Sequence, residues 1–126
     1  IQDPDAVIIQ DSTLVGLPGV LTGLRAGGVV ILNTDRPLAE SGLERYPPTR
    51  ATVVPATGLA LEHVGRPVPN AALLGGFAAM THIVSLDSVV AAIRERFAAR
   101  IADGNVACAT VAYDMVREQQ GSEAHA

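Results

Sequence analysis

Three short apolar runs constrain this chain more than any other feature of it. They are Ala6-Val7-Ile8-Ile9-Gln10, Val29-Val30-Ile31-Leu32-Asn33 and Ala51-Thr52-Val53-Val54-Pro55. None shows sustained alternation of apolar and polar residues. A strand with water on one face alternates, whereas a strand covered on both faces reads as a continuous, β-branched run. The boundaries are chemically explicit. Asp3-Pro4-Asp5 and Asp11-Ser12 flank the first run, Arg25-Ala26-Gly27-Gly28 turns into the second, and Pro55, which cannot donate to a ladder, stops the third. Residues 13–24 mix apolar side chains with Gly16, Pro18, Gly19 and Gly23, the pattern of a short or broken helix. Strand, helix, glycine turn and strand make a βαβ rhythm, which favours a parallel sheet.

The rest of the chain turns helical. Residues 34–48 carry Pro37, Gly42, Pro47 and Pro48 and read as a surface excursion. Residues 57–64 read as a short helix with Thr57 as N-cap, ended by Gly65 and Pro67. After Pro69, Asn70 is placed to cap a helix over residues 71–81 that is apolar nearly all round and therefore buried. Ser85-Leu86-Asp87-Ser88 is a helix entry. Val89, Val90, Ile93, Phe97 and Ile101 follow at helical spacing, and Asp103-Gly104-Asn105 is expected to break that helix before a last one over residues 106–118. The expected architecture is α/β: one layered domain over residues 1–118, with a central mixed, largely parallel sheet covered by helices, then a flexible tail over residues 119–126. The chain opens on Ile1 and runs almost at once into a strand. Further N-terminal strands are expected upstream, and without them a sheet edge is exposed and the piece alone is poorly stable.

Composition removes several classes of function. With 48% hydrophobic and 17% charged residues the chain is too apolar to be disordered, and aromatics make up only 3%, so Ala, Val, Leu and Ile must build the core. A net charge of −4 argues against an electrostatic nucleic-acid binder. All nine basic residues are Arg, which a nucleotide-composition bias explains. No apolar run reaches the ~20 residues of a membrane span and no signal-peptide pattern is visible, so the expectation is a cytoplasmic protein without a membrane partner. The single cysteine, Cys108, excludes an internal disulfide and a cluster held by this chain's own thiolates; it lies in an apolar stretch and reads as a small buried hydrophobe. His63 and His82 lack partners at metal-ligand spacing, and His125 lies in the tail, so no metal site is expected. Neither a Ser-His-Asp order nor paired carboxylates stand out, which argues against a self-contained active site. Gly27-Gly28 and Gly75-Gly76 are too short to be phosphate loops and point to close backbone packing.

Read in order, a series of segments carries a resemblance. Pro4-Asp5-Ala6-Val7-Ile8-Ile9 leads to Asp11, and Leu24-Arg25-Ala26-Gly27-Gly28-Val29-Val30-Ile31-Leu32-Asn33 follows. Next come Val54-Pro55-Ala56-Thr57-Gly58-Leu59-Ala60, Gly65-Arg66-Pro67, Asn70 ahead of Leu74-Gly75-Gly76, Val84-Ser85-Leu86, and Asn105. The series, over roughly residues 3–117, resembles the gamma subunit or domain of the 2-oxoacid:ferredoxin oxidoreductases, the pyruvate, 2-oxoglutarate, branched-chain and indolepyruvate enzymes. The order and spacing of the segments carry the likeness rather than any single motif. The resemblance implies a subunit of an enzyme complex that oxidatively decarboxylates a 2-oxoacid on thiamine diphosphate. Electrons leave through iron–sulfur clusters to ferredoxin or another acceptor, and the acyl group passes to coenzyme A. It implies that thiamine diphosphate and the clusters belong to partner subunits, that this part contributes to the coenzyme A site, and that Asn70 and Asn105 are its contacts. The family's Gly-x-Gly-Gly-Gln-Gly loop does not occur in this sequence and is expected upstream of Ile1, as is a basic contact from the same region.

The residues themselves leave other readings open. Asn70 serves as an N-cap, as a ligand contact, or as both. Asn105 reads as a left-handed residue in a helix stop or as a ligand contact. Asn33 stands at the C-terminal end of a strand, where open α/β sheets bind ligands, but also suits a turn. Asp11 and Thr57 read as caps. The rival function is a structural interaction subunit of the same kind of complex, with both asparagines acting only as caps. A freestanding Rossmann-like nucleotide binder would need a glycine fingerprint and an acidic ribose-binding residue, and neither is visible.

Overall fold

The computed structural model describes residues 6–10, 28–37 and 50–124. Asp11, the short or broken helix expected over residues 13–24, most of the expected surface excursion over residues 34–48, and His125 lie outside them. Three strands, β1 (Ala6–Ile9), β2 (Val29–Asn33) and β3 (Arg50–Val54), are followed by four helices. These are α1 (Ala56–His63), α2 (Asn70–Thr81), α3 (Leu86–Arg96) and α4 (Ala99–Ala124). The strands lie in the order β1-β2-β3, and both pairings are parallel, with Ala6 opposite Val29 and Val29 opposite Arg50. The three described strands are thus all parallel, in keeping with the largely parallel sheet expected of an α/β domain. Val30, Ile31 and Leu32 are all fully buried, so β2 is covered on both faces, as a continuous β-branched run requires. On one face Val29, Ile31 and Val54 join a core of small side chains from the helices, among them Ala72, Ala79, Ala109, Ala112 and Val116.

Alanine and glycine let the helices approach closely. A Cβ added at Gly75 would collide with the backbone carbonyl of Ala109, so α2 and α4 pack backbone to backbone. That is the close packing expected of the Gly75-Gly76 pair.

Several boundaries differ from expectation. Helix α3 ends at Arg96, and Phe97 is extended at φ −121° and ψ 149°. The break expected at Asp103-Gly104-Asn105 does not occur; these residues lie inside α4. Gly104 is there for a close approach, since a Cβ at this position would sit 2.5 Å from the carbonyl oxygen of His63. The helix also runs on through Gln119 to Ala124, into the expected tail. Gln119 gives the reason. Its Oε1 accepts from the Thr52 hydroxyl at 2.7 Å and from the Val53 N–H at 3.4 Å, and its Nε2 donates to the Val53 carbonyl at 2.9 Å. The neighbouring Val54 carbonyl instead accepts from the Thr34 N–H, on the β2 side. Gln119 therefore occupies the outer edge of β3, where a further strand would pair.

Candidate functional site

At the C-terminal edge of the described sheet, β3 leads through Pro55 into α1. Asn33, the last residue of β2, organises this edge. Its Oδ1 accepts from the N–H groups of Ala56 at 2.9 Å and Thr57 at 3.3 Å. Its Nδ2 donates to the Thr57 hydroxyl at 2.9 Å and to the Gln10 carbonyl at 3.0 Å. The residue before α1 is Pro55, which offers no side-chain cap. Asn33 thus caps α1 from another element, and Thr57, read from the sequence as the cap, is a helical residue held by it.

Asn70 is likewise not the cap of α2. Pro69 holds that position in helical geometry, its carbonyl accepting from the Leu73 N–H, and Asn70 is the first helical residue. The Asn70 carboxamide is exposed, with Oδ1 accepting from Gln10 Nε2 at 3.4 Å. This leaves the Nδ2 hydrogens without an acceptor among the described residues.

Asn105 sits in the second turn of α4 and is 5% exposed. It is no left-handed helix stop. Its Nδ2 donates back to the Ile101 carbonyl at 3.0 Å, a bond only the amide nitrogen can make. Its Oδ1 accepts no hydrogen bond from the described residues, and no unpartnered polar side-chain atom is sealed from solvent among them. The oxygen is left with open acceptor capacity.

The two asparagines, far apart in sequence, line one cavity of about 940 Å³. Its floor and walls are apolar, with Val64, Val68, Leu74, Val89, Ile93, Phe97 and Ile101 contributed by the α1–α2 turn and by α2, α3 and α4. Val68, Leu74, Phe97 and Ile101 rank among the exposed large hydrophobic side chains, so the cavity gathers much of the apolar surface that the helices leave open. Arg66 and Arg96 also line it, and among the described residues no acidic one does. An apolar hollow with a few convergent polar groups is the usual form of a small-molecule site, with volumes of about 300–1,000 Å³. The arginines escape a sequence reading: Arg66 lies within the resembling series without a role, and nothing near Arg96 marks it.

The other candidates have structural roles. The Cys108 thiol is buried and faces the Leu59 carbonyl at 3.4 Å; loss of hydration on burial, helped by the charge of Glu62, pushes its pKa up. His82 is the left-handed C-terminal residue of α2 at φ 57°. Among the described residues no three His, Cys, Asp or Glu side chains converge on a metal site, and no helix is long and apolar enough to cross a membrane.

Comparison with known proteins bears on the whole arrangement. The family described as pyruvate ferredoxin/flavodoxin oxidoreductase matches residues 1–115. Pyruvate synthase subunit PorC of Methanothermobacter marburgensis is 38% identical over 117 residues, covering 93% of this chain and 63% of that protein. The common gamma subunit of the pyruvate/ketoisovalerate oxidoreductases of Thermococcus kodakarensis is 39% identical over 116 residues, covering 90% of this chain and 62% of that one. The crystal structure of pyruvate oxidoreductase subunit PORC from Thermotoga maritima superposes with a TM-score of 0.81 at 28% identity, covering 90% of this chain and 64% of that chain. The chain therefore spans slightly less than two thirds of the length of these relatives. By sequence and by fold alike, the chain belongs to the pyruvate ferredoxin/flavodoxin oxidoreductase family.

Proposed function

We propose that this chain acts as the gamma subunit of a thiamine-diphosphate-dependent 2-oxoacid:acceptor oxidoreductase complex in the cytoplasm, and that its cavity contributes to the coenzyme A site. The observation that carries the reading is the meeting of Asn70 and Asn105 in one apolar cavity that also holds two arginines. Their hydrogen-bonding states are complementary. Asn70 offers an N–H donor and Asn105 an oxygen acceptor. An amide-bearing arm such as pantetheine presents a carbonyl to the first and an N–H to the second, while its methylene and methyl groups cover the apolar walls.

The chain's share of the reaction is binding and orientation. Holding the arm at two points fixes the direction in which the thiol leaves the cavity, and such positioning lowers a barrier by converting an encounter into an intramolecular approach. Thiamine diphosphate and the iron–sulfur clusters, held by partner subunits, would supply decarboxylation and electron transfer to ferredoxin or another acceptor. Cys108, the chain's one thiol, is buried, so the donor set here does not fit a cluster.

The test is the Michaelis constant for coenzyme A in the assembled complex. Asn70→Ala and Asn105→Ala should each raise it about three- to tenfold, the worth of one hydrogen bond, and leave that for the 2-oxoacid unchanged. Unchanged coenzyme A constants in both variants would refute the reading. A purely structural subunit would instead show reduced assembly without any change in that constant.

A further inference from the structure

Arg66 and Arg96 are a pair of cations with no structural task. Neither has a hydrogen bond or ion pair with a described residue, although Arg94, two residues before Arg96 on α3, is engaged with Asp103 at 2.9 Å. Both line the same cavity, and no acidic side chain among the described residues joins them there. Their positions come from different elements. Arg66 sits in the turn between α1 and α2, where Pro67 follows it and its carbonyl accepts from the Val68 N–H at 2.9 Å. Arg96 is the last residue of α3, next to the extended Phe97. The backbone at both sites is therefore constrained, while the guanidinium groups remain available.

Charge makes the pairing informative. The chain carries thirteen acidic against nine basic residues, so an anion approaching it meets net repulsion. A cavity with two unpaired arginines and no carboxylate is a local reversal of that field. Guanidinium groups bind phosphate through paired N–H donors, and such charge-assisted bonds are about twice as strong as neutral ones.

We propose that Arg66 and Arg96 form an anion clamp that reads the phosphate groups of the cavity's ligand, so that the site selects a phosphorylated carrier of the pantetheine arm over the bare arm. The inference rests on the coenzyme A reading above and adds to it a division of labour. The asparagines read the amides, and the arginines read the charge.

The test is titration calorimetry of the assembled complex, without a 2-oxoacid present, using coenzyme A and pantetheine as probes. In the Arg66→Gln/Arg96→Gln variant the Kd for coenzyme A should rise about tenfold or more, while that for pantetheine stays unchanged. The dependence of the coenzyme A Kd on salt should also flatten, because fewer charge contacts remain to be screened. Arg94→Gln, whose partner is Asp103, should match the wild type in all three measurements. An unchanged coenzyme A Kd and salt dependence in the double variant, or an equal rise for both probes, would overturn the clamp. If the double variant binds normally while Asn105→Ala weakens both probes, the clamp falls and the coenzyme A reading stands. If every cavity variant binds coenzyme A like the wild type, both fall.

Discussion

Asn33 starts a helix to which it does not belong. Its carboxamide makes four hydrogen bonds, two of them to the first N–H groups of α1. Removing it leaves those donors and the Thr57 hydroxyl without that partner, so Asn33→Ala should cost about 1–2 kcal/mol, read as a lower urea midpoint. Asn33→Asp keeps the acceptor and should recover part of the loss. Cys108 supplies a second residue-level prediction. Burial raises its pKa, so the folded chain keeps a proton that the unfolded chain gives up. Its contribution is fully present below the unfolded thiol's pKa and is lost as pH rises through and beyond it. Stability should therefore fall on the alkaline side, and Cys108→Ala should lose the part due to the thiol. The buried character of Cys108 was legible from its apolar neighbours. The role of Asn33 was not, because Gln10 and Thr57 reach it only once the parallel sheet has formed. The same holds for Asn70: its place after proline suggested a cap, but Pro69 itself holds the cap position and Asn70 is the first helical residue.

At the scale of elements, continuous β-branched runs located all three strands to within a residue. The helix boundaries were misread where tertiary packing overrides local signals. Asp103-Gly104-Asn105 looks like a stop, yet Gly104 is a point of contact with α1. The true break at Phe97 has neither glycine nor proline at it. Helix α4 packs against α1, α2, α3 and β3, so its course follows from these contacts more than from its own sequence. Gln119 ties that helix to the sheet edge. Gln119→Ala would leave the Thr52 hydroxyl, 1% exposed, and both polar groups of Val53 without this partner. A loss of about 1–3 kcal/mol is expected in urea unfolding, together with increased light scattering from edge-to-edge association. Gly75→Ala tests the backbone contact between α2 and α4. The added methyl has to push Ala109 away, and a loss of at least about 1–3 kcal/mol is expected in the same assay.

For the whole molecule, the sheet and the helix pairings bring together residues that the sequence keeps apart. The glycine-to-carbonyl contacts draw α4 close to α1 and α2, and the turn at Phe97 folds α3 alongside. The cavity is what remains between these elements, with Asn70 and Asn105 on its lining. The order of segments along the chain singled out these two as expected coenzyme A contacts, and their common cavity is the geometry on which that proposal rests, while the arginines became visible only when the helices were assembled. The most direct measurement is a structure of the assembled complex with coenzyme A bound. The account predicts the pantetheine arm inside this cavity, with an amide N–H within hydrogen-bond distance of Asn105 Oδ1. Coenzyme A bound elsewhere, with the cavity filled by another polypeptide segment, would contradict it.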